Sequence, residues 1–592
     1  MKQFFKIFFA SLLALFVAGI LFFILFFGAI GALVSSVSKE EAIVIKDNSV
    51  LMLDLGAPLH ETGKANVLSA ITGNPANDYG LNDVLNSIRE AKGDNKIKGI
   101  YLKATGSPNG WATAQQLRAA LKEFKLSRKF IYAYGDFITQ KDYYVTSVAD
   151  SIFINPLGMV ELKGLASQLA FFKGTLDKLE VKPEIFYCGQ FKSATEPFRM
   201  NKMSEPNRKQ QAALQADIWN GLLQAVSEKT KADTATIFSW AKNGTIQTGA
   251  DAVSYKLADG MRYKDEVEAL LLKSAGLKAD DKVRLATITD YSKSLSSGKA
   301  TDQIALLVAE GEIIDGKGSS SGYEIAAEKF IKEIRKVKNN DKIKAVVMRV
   351  NSPGGSALAS EVILRELQLL RKKKPLVVSM GDVAASGGYY ISCQADSIFA
   401  MPNTITGSIG VFGMLFNTQA FFNNKLGVTF DGEKNAPYAD FPNLNRSMTD
   451  KEKTFIQNSV DSIYLTFKRR VAAGRKVDVQ YVDSIGQGRV WTGSAALKNR
   501  LVDGLGGFDR AFKSAATLAK LKEYKVVTYP APKDQVEQIM QMLKGSNDDQ
   551  ALVQRLMQQE MSEEYKLYRM LNKFRENKNH IWMVMPYVPE IQ

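Results

Sequence analysis

Cysteine and histidine are almost missing from this sequence. Two of its 592 residues are cysteines, Cys188 and Cys393, and two are histidines, His60 and His580. So few cysteines exclude a disulfide scaffold and a multi-cysteine zinc or iron–sulfur centre. So few histidines leave no His-rich metal site, and a Ser-His-Asp triad would have to recruit a residue near one chain end. No metal and no cofactor is expected. Long apolar runs are also scarce: only one is long enough to cross a bilayer, which excludes a polytopic membrane protein. The remainder is ordinary, with 45% apolar and 23% charged residues, and this excludes wholesale disorder.

The one long run is N-terminal. Ile7 to Ser38 are 32 consecutive uncharged residues, mostly Phe, Leu, Ile, Ala and Val. About 20 apolar residues span the hydrocarbon core. Lys2 and Lys6 precede the run, so the positive-inside rule keeps the N-terminus in the cytoplasm and exports the rest. The alternative is a cleaved signal peptide, but its apolar region is normally about 7–15 residues. Residues 1–38 are therefore read as a cytoplasmic tip and a single-pass anchor. The net charge of +15 favours an anionic neighbour, and an exported body points to membrane rather than nucleic acid.

The chain repeats itself. DNKIKGIYLKA begins at Asp94 and NDKIKAVVMRV at Asn340, an offset of 246 residues. The same offset relates Gly135-Asp136 to Gly381-Asp382, Tyr143-Tyr144 to Tyr389-Tyr390, and ADSIF at Ala149 to ADSIF at Ala395. Two copies of one domain are expected, over 43–282 and 304–532. A Gly/Ser-rich linker over 283–303 joins them, and a helical tail over 533–592 follows. The tail's apolar end, IWMVMPYVPEIQ from Ile581, could touch membrane or a partner, or pack back on its own domain. Within each copy, apolar strand-like runs alternate with amphipathic helical stretches, which predicts a mostly parallel α/β arrangement.

The two copies differ where chemistry would sit. The second reads GDVAASGGYY from Gly381 and the first GDFITQKDYY from Gly135. The frame is kept while Ser386 becomes Gln140, and Gly387-Gly388 become Lys141-Asp142. Something about Ser-Gly-Gly was needed only once. Glycines beside a serine let backbone approach closely and leave N–H groups to point at a ligand, which suits an oxyanion hole. The structural alternative is an N-cap serine in a tight turn. A second glycine pair, Gly354-Gly355, follows a neighbouring strand and supplies further N–H groups where ligands bind in open α/β folds. A serine nucleophile needs a base, and with histidine scarce a desolvated lysine can serve. Lys192 in YCGQFKSATEPF is a candidate. Spacing alone does not separate it from a solvated surface lysine. Lys434, in DGEKNAPYADF, lacks that context and is read as structural. Arg371-Lys372-Lys373-Lys374 is read as a solvated helix end.

Five motifs, KSATEPF at Lys192, VNSPGGSA at Val350, GDVAASGGYYI at Gly381, TGSIGVFG at Thr406 and GRVWTGSAA at Gly488, resemble the bacterial signal peptide peptidase A family in its long, duplicated form. The resemblance covers nearly the whole chain. It implies a tandem crotonase/ClpP-like fold, with Ser386 as nucleophile, Lys192 as general base and Ser408 orienting the lysine. It also implies that Gly387, with Gly354 or Gly355, donates to the oxyanion. The implied function is a serine endopeptidase that degrades remnant signal peptides. The implied assembly is a homotetrameric bowl on the periplasmic side of the inner membrane, open towards the lipid. The dyad must form where two domains meet, either of one subunit or of neighbouring subunits. Cys188 and Cys393 lie near the two dyad residues and could pair in an exported protein, or be buried as free thiols. Two rival functions are a catalytically dead membrane-anchored scaffold and an acyl-CoA enzyme of the same fold. Retention of both Ser386 and Lys192 argues against the first. The anchor and the Ser/Lys pair argue against the second.

Overall fold

A computed structural model describes residues 3–4, 6–14, 16–17, 19–20, 44–63, 79–278, 280–295, 300–318, 323–531 and 581–584. The described residues before position 20 are helical, with Phe4, Ile7, Leu13 and Phe16 exposed. Residues 21–38 of the expected anchor lie outside the described residues. Among the described residues no helix is long and apolar enough to cross a membrane.

Each copy builds a mostly parallel sheet from strands apolar on both faces, with Val490–Thr492 antiparallel at one edge of the second. The first sheet runs, edge to edge, Gly260–Met261, Ser151–Val160, Phe130–Ile138, Ile97–Lys103, Ser49–Asp54 and Leu285–Thr287. The second runs Val490–Thr492, Ile405–Gly407, Leu376–Ala385, Ile343–Ser352, Gln303–Glu310 and Lys525–Tyr529. Ser397–Ala400 and Gly504–Leu505 extend this second sheet beside Leu376–Ala385. Seven of the eight residues of Gln303–Glu310 are buried, as a strand covered by helices on both faces requires. The covering helices show why they lie there. Helix Ala327–Asn339 buries Ala327, Phe330, Ile334 and Val337, one stripe at three- and four-residue spacing. Helix Ala357–Arg371 does the same with Ile363, Leu364, Leu367 and Leu370. The duplication extends to strand register: Phe137 pairs with Met159 in the first sheet, and Val383 with Ile405 in the second, each partner displaced by the same offset of 246.

Two expectations are corrected. The segment 283–303 is not simply a linker. Leu285–Thr287 closes the first sheet and helix Ile288–Ser294 follows it, because Ala286, Ile288 and Tyr291 are buried in the first copy's core. The tail over 533–592 lies largely outside the described residues, and its described part, Ile581–Val584, is a strand rather than a helix. Backbone pairing on both sides of that strand sets its conformation.

The copies form one body. Arg349, fully buried on a central strand of the second sheet, is held by Glu61 of the first copy, with Nε–Oε2 at 2.6 Å and Nη2–Oε1 at 3.3 Å. Its remaining donors reach Ser379 Oγ and the Met380 carbonyl at 2.9 and 2.8 Å. Thr113 of the first copy donates through N and Oγ1 to the Asp382 carboxylate at 2.8 and 2.6 Å. A third sheet also joins the copies: Lys182–Tyr187 of the first lies antiparallel to Phe412–Asn417 of the second. That sheet continues through Ile581–Val584 and Gly354–Ser356 to Glu312–Ile314 and Glu324–Ala326.

Candidate active site

Three segments converge at one end of the second sheet. Strand Leu376–Ala385 ends immediately before Ser386, and helix Gly387–Ser392 begins immediately after it. Ser386 adopts φ 54° and ψ −115°. A β-carbon makes positive φ costly, by about 1–3 kcal/mol, so such a conformation persists only where its surroundings enforce it. Here its N–H donates to the Gly407 carbonyl at 2.9 Å, and its carbonyl accepts from Tyr390 N–H at 2.8 Å. The neighbouring strand Ile405–Gly407 leads to Ser408, also at positive φ, 51°, with its N–H on the Arg489 carbonyl at 2.8 Å. Lys192 arrives from the first copy, just after strand Lys182–Tyr187.

Lys192 Nζ lies 3.0 Å from Ser386 Oγ, 3.1 Å from Ser408 Oγ and 3.4 Å from the Ser408 carbonyl oxygen. Ser386 and Ser408 are fully buried and Lys192 is 1% exposed. Burial alone, with no carboxylate countering it, pushes the lysine amine down to about 7. A neutral amine carries one lone pair. If its two N–H bonds go to Ser408 Oγ and the Ser408 carbonyl, the neutral amine presents that lone pair to Ser386 Oγ.

The glycines pack closely against one another beside Ser386. A β-carbon at Gly354 would collide with the Met583 carbonyl and stand 2.7 Å from the Gly387 nitrogen. One at Gly387 would stand 3.1 Å from both Gly354 Cα and the Gly355 nitrogen. Gly354, at φ 105°, is confined to glycine by backbone and by space. Its own N–H donates to Ser352 Oγ at 3.2 Å. Gly354 therefore contributes room, while the Gly387 and Gly355 nitrogens border the space it leaves open.

Two contributors escaped the sequence reading. Gly488, at φ 76°, lies so close to the lysine that a β-carbon there would be 2.6 Å from Lys192 Cβ. Gln210 Nε2 donates to Ser193 Oγ at 3.0 Å and to the Phe191 carbonyl at 3.4 Å, pinning the residues on either side of Lys192. Gly488 sits in a quoted motif but carries no side chain to suggest a role. Gln210 lies on helix Glu205–Thr230 with nothing in its local pattern to mark it.

The equivalent place in the first copy is filled. Gln140 Oε1 accepts from the N–H groups of Lys163 and Gly164 at 3.0 and 3.1 Å, and its Nε2 donates to the Gly164 carbonyl at 2.9 Å. The Asp142 carboxylate accepts from Gly106 and Ser107 N–H at 2.9 and 3.0 Å. Backbone donors on the turn corresponding to the Ser352–Gly355 region are thus occupied by the chain's own carboxylate.

The remaining sequence candidates fall elsewhere. Cys188 and Cys393 are free thiols. Cys188 Sγ donates to Asp461 at 2.9 Å and Cys393 Sγ to the Tyr390 carbonyl at 3.2 Å, and burial pushes both thiols up to about 12. Lys434 is exposed and pairs with Asp440 at 3.2 Å. Lys374 departs from a solvated helix end: it is buried and donates to the Val337 and Asn340 carbonyls at 2.7 and 2.6 Å. Half-buried Lys129 of the first copy likewise donates to the carbonyls of Ala91 and Asp94.

The sequence matches known proteins over most of its length. The profile of peptidase family S49 matches residues 123–278 and 368–522, and that of Clp protease matches 297–406. Protease 4 of Salmonella typhi is 35% identical over 525 residues, 86% of this chain and 84% of its own. Protease 4 of Haemophilus influenzae is 36% identical over 74% of this chain and 73% of its own. A protein of Enterococcus faecium described as a putative signal peptide peptidase SppA is 32% identical over 45% of this chain and 77% of its own.

Proposed function

Because the chain belongs to peptidase family S49, we propose that this serine protease works through a Ser386–Lys192 dyad shared between its two copies. The observation that carries the reading is the buried contact of Lys192 Nζ with Ser386 Oγ at 3.0 Å, in a site that leaves the amine neutral near physiological pH. Ser386 Oγ attacks the peptide carbonyl while Lys192 takes its proton. The developing oxyanion is met by N–H groups of Gly387 and of Gly355, and Gly354 makes the space. Lys192 then protonates the leaving amine. Water hydrolyses the acyl-serine with the same lysine as base. Ser408 is a positioning residue that holds the amine by its two N–H bonds.

The substrates are apolar peptides of the kind left in a membrane by signal-peptide release. Two features support this. The Ile7–Ser38 run, preceded by Lys2 and Lys6, suits an anchor with its N-terminus cytoplasmic and its body on the periplasmic face of the inner membrane. The burial that lowers the lysine amine asks for a water-poor site, and such a site suits apolar side chains beside the cut. A homo-oligomer, a tetramer by family resemblance, is read by light scattering of the purified protein.

The test compares wild type with Ser386→Ala and Lys192→Ala on an apolar, signal-like peptide, with circular dichroism as the folding control. Both folded variants lose at least about a thousandfold in kcat/KM. Hydrolysis by a folded Ser386→Ala at the wild-type rate would refute the dyad.

A further inference from the structure

Arg489 carries a positive charge with no acid paired to it. Among the described residues its guanidinium meets no carboxylate, and its buried Nε has no hydrogen-bond partner. What holds the side chain is aromatic: the guanidinium carbon lies 4.0 Å from the centroid of the Trp491 ring and 5.0 Å from that of Phe191. A planar, weakly hydrated guanidinium suits such stacking better than a compact ammonium does. Phe191 belongs to the first copy and immediately precedes Lys192. Its N–H donates to the Gln487 carbonyl of the second copy at 2.9 Å. Trp491 is itself fixed, with Nε1 donating to the Ile485 carbonyl at 2.9 Å. The main chain of the same short segment serves the other half of the site. The Arg489 carbonyl accepts the Ser408 N–H at 2.8 Å. Val490 N–H donates at 3.3 Å to Gln210 Oε1, the other end of the amide that pins Phe191 and Ser193.

From these contacts we infer that Arg489 is a positioning residue for the lysine base: stacked on Phe191 and Trp491, its guanidinium ties the first-copy segment that carries Lys192 to the second-copy segment that holds Ser408. The inference rests on the dyad reading for the role of Lys192. The guanidinium makes no hydrogen bond to Lys192, Ser386 or Ser408, so it acts through Phe191. The chemistry of the tie suits its place. An ion pair would join the two copies as firmly. A carboxylate within about 4–6 Å of Lys192 would however favour the ammonium and remove the free base. Stacking a cation on two rings joins the segments without adding a negative charge. The amine's depression by burial, with no acid opposing it, agrees with that arrangement.

The test uses the full chain and the apolar, signal-like peptide, with melting temperature as the folding control. It reads kcat, KM and the acid limb of kcat against pH. Arg489→Met and Phe191→Leu should each lose about tenfold in kcat, with KM changed less than about twofold. A loosened lysine gains water, so the limb should move above about 7 in both. The double variant Phe191→Leu/Arg489→Met should lose no more than either single change, because both remove the same contact. Arg489→Lys should recover little, since an ammonium does not stack on two rings. Phe191→Tyr keeps its ring and should stay within about threefold of wild type. Wild-type kcat and an unmoved limb in folded Arg489→Met and Arg489→Lys overturn the inference, as do fully additive losses in the double variant. A loss confined to KM makes Arg489 a substrate contact and also overturns it. If Arg489→Met does not fold, Arg489→Lys and the two Phe191 variants carry the same decision. A folded, active Lys192→Ala overturns the dyad and the inference with it. A dead Lys192→Ala beside unaffected Arg489 variants overturns the inference alone.

Discussion

Gly488 stands against Lys192 so closely that a single added methyl would lie 2.6 Å from the lysine's β-carbon. The two residues come from different copies of the repeat, and the absence of a side chain on one fixes the position of the other. Gly488→Ala should push the lysine off Ser386 while leaving both sheets intact. Misplacement by about 1 Å costs about a hundredfold in rate. The expected outcome is a loss of that order in kcat, with little change in KM and a near wild-type melting temperature. Wild-type kcat would show that the lysine's position does not depend on this contact.

The burial of Lys192 has a signature in pH. Desolvation holds the amine down to about 7 in the folded protein, against an ordinary 10.5. Activity should fall below neutrality with a single-proton limb near pH 7 and level off above it. A limb near pH 10 would mean an unperturbed lysine.

Stability carries the same signature with a definite sign. Between about 7 and 10.5 the unfolded chain holds a proton on Lys192 that the folded chain lacks. The lysine's penalty is therefore full below about pH 7 and relieved as pH rises to 10.5, by about 1.4 kcal/mol per unit. Lys192→Met should be more stable than wild type, by a margin greater at pH 7 than at pH 10. Urea unfolding of both proteins at the two pH values checks this, and an equal margin at both would count against it.

Glu61 and Arg349 join the copies through a buried ion pair. Glu61→Ala strands the guanidinium and should cost about 3–5 kcal/mol in urea unfolding. The double change Glu61→Leu/Arg349→Met leaves no orphaned charge and should recover most of that loss. Failure of the double variant to recover would place the stabilisation outside the pair itself.

Asp142 keeps the first copy's vacated site closed. Asp142→Ala leaves the Gly106 and Ser107 N–H groups without their acceptor and should cost about 1–3 kcal/mol of stability. Peptide hydrolysis per folded molecule should not change, since the dyad lies elsewhere. A parallel loss of kcat would reveal coupling between the two places.

Much of this arrangement was legible because the sequence contains its own comparison. The shared frame around Gly135 and Gly381 exposed Ser386 against Gln140, and register-level pairing repeats with the same offset. Lys192 was not legible from residue types alone. What distinguishes it is desolvation, produced by Gly488, Ser408 and the close fit of chain segments hundreds of residues apart. The segment 283–303 looked like a linker because polar residues dominate its second half. Three apolar side chains in its first half were enough to add a strand and a helix. The strand at Ile581–Val584 was invisible for a different reason: its conformation comes from partners on either side rather than from its own short pattern.

The contact between Lys192 and Ser386 also sets a condition on synthesis. The lysine is translated 194 positions before the serine, and the strands that hold the two together come from opposite halves of the gene product. A ribosome that stops after the first repeat releases a base with no hydroxyl to act on, and a fragment that begins later carries a serine with no base. On the dyad proposed above, proteolytic competence reports that both repeats have been made and have folded against one another.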